Sequence, residues 1–100
     1  MFAIKGIVSE LTKCKSVKGD CFYRIMLKKE LKKSKLSETY MEFFSFVEDV
    51  NKKFLSEEIV VNDIIEFTFY IKGVRKDERT FKNNLMVRNV SLIKKGSKRA

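Results

Sequence analysis

Two short stretches of this chain place an aromatic residue two positions before a basic one: Phe22 before Arg24, and Tyr70 before Lys72. Residues two apart in an extended strand lie on the same face, so each stretch would present a flat ring beside a cation. A ring stacks on another planar group, and a cation attracts an anion. Such a surface suits a ligand that carries both planar rings and negative charges.

Catalytic chemistry has few candidates in this sequence. Histidine is absent, which excludes Ser-His-Asp and Cys-His catalysis and every metal motif that needs a histidine. The four glycines are too scattered to form a GxGxxG or Walker loop. Mg²⁺ could in principle be held by four acidic residues: Asp49, Glu57, Glu58 and Asp63. Acidic side chains on the surface around a helix are, however, far commoner than metal sites. The sequence therefore predicts no enzyme, no cofactor and no metal.

The two cysteines, Cys14 and Cys21, flank a predicted turn across which a disulfide is geometrically conceivable. The first residues lack the long apolar stretch of a signal peptide, and no run of about 18 apolar residues could span a membrane. We therefore expect a cytoplasmic protein with reduced thiols and no membrane partner.

Charge is unevenly distributed along the chain. The 100 residues carry a net charge of +9, and 44% of them are hydrophobic, which fits one compact domain. The net charge is +7 over residues 1–37, −6 over 38–69 and +8 over 70–100. A fold that brings the two basic blocks together and turns the acidic block away would have one strongly positive face.

Residue periodicity predicts an all-β chain with one helix. The expected strands cover residues 2–8, 21–27, 39–47, 65–72 and 81–93, with turns at 17–20 and 73–79. Acidic residues followed by apolar ones at helical spacing predict a helix over residues 48–55. Residues 28–36 form either a short basic helix or, as the flanking strands favour, a long charged connection. The domain is expected to span residues 1–94, followed by a disordered basic tail over 95–100.

Alternation within the strands predicts which side chains share a face. The second strand turns Tyr23, Ile25 and Leu27 inward, and the fourth strand places its apolar set on one face: Ile65, Phe67, Phe69 and Ile71. The third strand is ambiguous because Phe43 and Phe44 are adjacent. Either the outward set is Tyr40, Glu42, Phe44 and Phe46, or core packing claims Phe44 and Phe46.

Three strands, one helix and two strands is the element order of the OB-fold, a five-stranded Greek-key barrel. Short motifs strengthen this interpretation. The segment Ile4-Lys5-Gly6-Ile7-Val8 resembles the opening Val-x-Gly-x-Val of bacterial and phage single-stranded DNA-binding OB proteins, in which the glycine lets the first strand bend. Residues 39–44, 61–67 and 83–90 are similar to the third strand, the entry to the fourth strand and the closing strand of that family. Unlike many bacterial members, the chain lacks tryptophan and ends in Lys98-Arg99-Ala100 instead of an acidic tail.

The resemblance implies an OB-fold of order β-β-β-α-β-β that binds single-stranded DNA with little sequence preference, in replication or recombination, in a bacterial cell or a phage-infected host. It also implies a homo-oligomer or replication proteins as partners, and two alternatives stay open: an RNA-binding protein and a protein-protein adapter. In an OB barrel the first and last hairpins flank one groove, so their basic residues join the outward aromatics as candidates. The candidates are Lys13, Lys15, Lys18, Phe22, Arg24, Tyr40, Phe44, Tyr70, Lys72, Arg75, Lys76, Arg79, Lys82 and Arg88. The acidic helix is expected to cap the barrel away from the ligand.

Overall fold

The computed structural model describes residues 1–29, 39–75 and 77–96. The elements, in chain order, are β1 (Phe2–Lys15), β2 (Cys21–Lys29), β3 (Thr39–Ser45), α1 (Glu48–Leu55), β4 (Ile64–Arg75) and β5 (Phe81–Lys94). The predicted order of three strands, one helix and two strands is confirmed. The ambiguous segment over residues 28–36 lies mostly outside the described residues, although its first two lysines belong to β2.

The five strands form a closed barrel in the order β1-β2-β3-β5-β4. Neighbouring strands are antiparallel except β3 and β5, which run parallel over two residue pairs, Phe43 with Leu85 and Phe44 with Met86. This is the predicted OB-fold. Because β1 pairs with β4 only as far as Phe69, the ends of β4 and β5 leave the barrel together. We call this two-stranded extension, residues 71–75 and 81–84, the arm.

The barrel interior is filled by alternate side chains of every strand. Phe43 is fully buried, and its ring centroid lies 5.0 Å from that of Phe67 and 5.1 Å from that of Phe69. Gly6 allows β1 to cross β2 closely, because a Cβ at this position would lie 2.7 Å from Leu27 Cγ. The inward direction of Tyr23, Ile25 and Leu27 is confirmed.

The ambiguity in the third strand is resolved by the burial of Phe43 and Ser45. Alternation then turns Phe44 outward, and Phe46, just beyond the end of β3, is 50% exposed. The assignment of Phe44 and Phe46 to the outer face is therefore confirmed, and the competing assignment to the core is wrong.

Several strand boundaries differ from the prediction, most clearly at the ends of β1, β3 and β4, and β2 continues two residues beyond Leu27 to Lys29. β1 does not end at Val8 but continues through a register shift to Lys15. β4 does not turn at Gly73, because the ladder with β5 continues through Gly73, Val74 and Arg75. β3 ends at Ser45, two residues early. The extra length of β4 also explains why Ile71 is 50% exposed although it continues the alternation of Phe67 and Phe69: it lies on the arm, beyond the last β1 partner.

The carboxylate of Asp63 ties the end of β5 to the loop before β4. Asp63 is buried and accepts hydrogen bonds from Lys95 Nζ at 2.7 Å, from Gly96 N–H at 2.9 Å and from Val60 N–H at 2.9 Å. Burial alone would raise the pKa of Asp63, but these three donors together lower it. Ordered contacts therefore reach Gly96, whereas the boundary at residue 94 stays a prediction.

Asp63→Asn should lower the free energy of unfolding at pH 7 by about 1.5–3 kcal/mol, because the charge-assisted hydrogen bonds are weakened. A carboxylate with a lowered pKa in the folded state stabilises the fold above its unfolded pKa and loses that contribution as the pH falls through the folded value. The difference in unfolding free energy between wild type and variant should therefore decrease below a pH of about 4. Urea denaturation at pH 7 and pH 3 measures both effects.

Asp20→Asn is the matched control, since Asp20 lies in an exposed turn and its carboxylate has no partner among the described residues. It should change stability little at either pH. If Asp63→Asn lowers the free energy of unfolding equally at pH 7 and pH 3, the role assigned to the charged carboxylate is wrong.

Candidate nucleic-acid interface

Three phenylalanines form a cluster on the outer face of β2 and β3. The rings of Phe22 and Phe46 stack with centroids 4.7 Å apart and planes 19° apart. Phe44 lies beside them, its centroid 6.2 Å from that of Phe22. All three keep part of their surface exposed, so the cluster offers apolar ring surface to solvent.

A groove of about 280 Å³ separates this aromatic cluster from the arm. The parallel pairing of Phe44 with Met86 places these side chains on one face, and Asn84 and Lys82 follow at alternate positions along β5. Lys72 joins them because it lies opposite Asn84 in the ladder. The lining residues are Phe22, Phe44, Phe46, Lys72, Lys82, Asn84 and Met86.

No carboxylate lies among those seven lining residues. The ammonium of Lys82 lies 5.9 Å above the centroid of the Phe44 ring, within the range of a cation–π contact. Both lysines are exposed and have no ion-pair partner in the described ranges. The groove therefore combines unneutralised positive charge with flat apolar surface.

Tyr70 and Arg88 extend this surface toward the barrel. Tyr70 lies opposite Met86 and two residues before Lys72, which places it on the groove face of β4. Its side chain is 38% exposed, and the guanidinium carbon of Arg88 lies 5.9 Å from the ring centroid. The two predicted residues thus form a second pair of ring and cation beside the groove.

Arg24 faces carboxylates instead of the groove. Its Nε donates to Glu42, and its Nη1 lies 3.9 Å from Glu10. The hydrogen bond to Glu42 raises the pKa of Arg24 above its ordinary value, so the pair stays ionised. The charge of this predicted ligand residue is therefore largely balanced within the protein.

Tyr40 is also remote from the groove. It lies at the start of β3 opposite Lys28, four residues before Phe44 and thus about 13 Å along the strand. Its ring is half-exposed on the outer face of the barrel. The structure does not bring Tyr40 together with the aromatic cluster.

The lysines of the first hairpin do not line the groove either. Lys15 and Lys18 are exposed at the end of the β1–β2 hairpin. Lys13 lies opposite Tyr23, an interior residue, and its side chain borders a different cavity beside α1. This hairpin contributes Phe22 to the groove, while its basic residues lie elsewhere.

Arg75 stabilises the tip of the arm. Its guanidinium donates to the carbonyls of Asp77 at 3.1 Å and Glu78 at 3.0 Å and lies 5.4 Å from the centroid of the Phe81 ring. The carboxylate of Asp77 accepts the N–H groups of Arg79 and Thr80, each at 2.8 Å, which lowers the pKa of Asp77. Arg79 is exposed at this tip, and Lys76 lies outside the described residues.

Phe46, Asn84 and Met86 line the groove but are missing from the sequence-based candidates. The two-residue spacing from Phe44 to Phe46 is a signal that could have identified Phe46. Asn84 and Met86 carry no such signal, because their contribution depends on the pairing of β5 with β3, which alternation does not reveal.

Other chemistry finds little support in the part of the chain that the structure describes. Its two cysteines are free: Cys14 and Cys21 lie opposite Phe22 and Lys15 on consecutive rungs, and so on opposite faces of the hairpin. Reduced thiols stay a prediction. No group of three or more acidic or cysteine side chains is placed to hold a metal ion in these ranges. Among the same residues, no helix is long and apolar enough to cross a membrane.

Comparison with known proteins gives a fold and no sequence family. No protein-family model and no curated protein matches the sequence. A crystal structure of Rim1, a mitochondrial single-stranded DNA-binding protein of S. cerevisiae, matches with a TM-score of 0.77 and 14% identity over 96% of this chain and 95% of that one. The dimeric N-terminal domain of PriB from Thermoanaerobacter tencongensis matches with a TM-score of 0.65 and 14% identity over 92% of this chain and 93% of that one. At these identities the likeness shows the fold alone, and the predicted resemblance is confirmed at that level: this chain has the OB-fold that Rim1 and the PriB domain also adopt.

Proposed function

We propose that this protein binds single-stranded DNA, with little preference for sequence, in the groove between the aromatic cluster and the arm. The observation that carries the proposal is the composition of the groove wall: three phenylalanine rings face two lysines that have no ion-pair partner among the described residues, and none of the lining residues in those ranges is a carboxylate. Bases stack on rings at about 1–3 kcal/mol each, and lysines neutralise phosphates. The ligand needs both features, and the groove supplies both.

Sequence tolerance and strand selectivity follow from the same geometry. Every base has a π-face, so stacking on Phe22, Phe44 and Phe46 does not select one base over another. In a duplex the base faces are already stacked and cannot reach the rings. A single strand can turn its bases toward the cluster while its phosphates meet Lys72 and Lys82.

The wider role that we propose is protection or organisation of single-stranded DNA in replication or recombination, without catalysis. The fold shared with a mitochondrial single-stranded DNA-binding protein supports this role. The dimeric form of the PriB domain supports a homo-oligomer. The cytoplasmic location, the replication partners and the boundary at residue 94 stay predictions.

A fluorescence-polarisation titration with labelled poly-dT, poly-rU and a duplex at several salt concentrations tests the proposal. Poly-dT should bind most tightly, with a slope of log affinity against log salt of roughly −2 to −5, since each neutralised phosphate of a single strand contributes about −0.7. Tighter binding of poly-rU would favour the RNA-binding alternative. A preference for the duplex, or a slope near zero, would contradict the proposal.

A further inference from the structure

A second cavity lies next to the groove and shares one wall with it. It measures about 330 Å³ and lies between the end of the β1–β2 hairpin and α1; we call it the helix pocket. Its lining residues are Lys13, Cys21, Tyr23, Phe46, Glu48, Asn51, Lys52 and Leu55. Phe46, whose ring stacks on Phe22, borders both cavities.

The helix pocket also offers apolar side chains to a ligand. Phe46 and Leu55 are 50% and 64% exposed, so both offer apolar surface to an incoming group. Tyr23 lines the inner side of the pocket: it is buried, and its ring centroid lies 5.2 Å from that of Phe54. A planar ring entering from the groove would meet apolar surface on both sides of Phe46.

Charge in the helix pocket also suits a phosphate. Glu48 pairs with Lys52 at 3.6 Å, which balances these two charges on the helix. Lys13 has no carboxylate partner within the described ranges and stands on the opposite wall. Among the described residues, Lys13 is therefore the lining cation of the helix pocket whose charge no carboxylate balances.

We propose, on the basis of the proposed function, that the bound strand continues over Phe46 into the helix pocket, where one further base lies against Phe46 and Leu55 and its phosphate meets Lys13. The volume falls within the range of small-ligand pockets. The residue shared with the groove, Phe46, and the charge of Lys13, which no carboxylate of the described residues balances, both favour a nucleic acid over an apolar protein segment. The helix α1 then lies beside the bound strand instead of facing away from the ligand. Lys13, which does not line the groove, then contributes to binding through the helix pocket.

Cys21 provides a natural probe of this pocket, since its exposed thiol lines it. A poly-dT oligomer of about 12 nucleotides, within the range covered by one OB-fold, is added to saturation as judged by fluorescence polarisation. Iodoacetamide alkylation of Cys21 is then followed by peptide mass spectrometry with and without the oligomer. We expect the bound oligomer to slow alkylation of Cys21 at least about fivefold.

Two variants separate direct contact from an indirect effect. Lys13→Gln should weaken binding of the same oligomer about two- to fivefold and reduce the salt slope by about 0.7, the contribution of one phosphate. Lys5→Gln is the matched control, because Lys5 is an exposed lysine of the same strand on the outer face of the β1–β4 pair. It should leave both quantities unchanged.

The outcomes distinguish this inference from the proposed function. If poly-dT binds but Cys21 is not protected and Lys13→Gln leaves the salt slope unchanged, the strand does not enter the helix pocket. The proposed binding in the groove would still stand. No binding of poly-dT at any salt concentration would overturn both. Protection of Cys21 together with a smaller salt slope for Lys13→Gln would support a strand that continues from the groove into the helix pocket.

Discussion

Phe67→Ala should lower the free energy of unfolding by about 3–5 kcal/mol. Phe67 is fully buried, and its ring lies 5.0 Å from that of Phe43 in the centre of the barrel, so truncation leaves a large cavity that two neighbouring strands cannot close. For a chain of this length each kcal/mol shifts the melting temperature by about 4–8 °C. Urea denaturation and thermal melting both measure the loss.

Ile71→Ala on the same strand is the control. Ile71 continues the alternation of Phe67 but is half-exposed on the arm, so its truncation should cost less than about 1 kcal/mol. A loss for Ile71→Ala as large as that for Phe67→Ala would show that the arm is packed against something, contrary to the structure described here.

Phe22→Ala and Tyr70→Ala should each weaken single-stranded DNA binding by about 1–3 kcal/mol, or about 5- to 150-fold, with little change in melting temperature. Phe22 stacks on Phe46 at the groove, and Tyr70 lies beside Met86 with Arg88 over its ring. Each truncation removes ring surface on which a base would stack. Fluorescence-polarisation titrations measure the affinity, and thermal melts of the same samples measure the fold.

Phe2→Ala provides the aromatic control for these variants. Phe2 is a half-exposed ring that packs 5.6 Å from Phe69 and does not line the groove. Its truncation should leave the affinity unchanged. If Phe22→Ala melts as early as Phe67→Ala, its loss of binding reports unfolding, and the assignment of Phe22 to a binding face is wrong.

The strands and their interior faces could be predicted because alternation is a property of each strand alone. The position at which the barrel ends could not be predicted, because the burial of a residue depends on the neighbouring strand. Phe69 is covered because β1 still pairs with β4 at that level, whereas Ile71, two residues later, has no such partner. The arm is therefore a consequence of unequal strand lengths that periodicity does not encode.

The candidate site could be predicted by residue type more readily than by position. Phe22, Phe44, Lys72 and Lys82 meet at one groove, whereas Lys13, an equally good candidate by charge, lies beside the helix. Arg24 was indistinguishable from a free cation in the sequence. Its pairing with Glu42 depends on the register between β2 and β3, which only the folded barrel establishes.

NMR titration of the isotopically labelled protein with a short poly-dT oligomer is the most direct test of single-stranded DNA binding in the groove. We expect shifts of the backbone amide signals of the groove residues, around Phe22, Phe44, Lys72 and Lys82. The signals around Lys5 and Ser91, on the outer face of the β1–β4–β5 sheet, should stay in place. Shifts concentrated around Lys5 and Ser91, with the groove signals unmoved at saturation, would contradict binding in the groove.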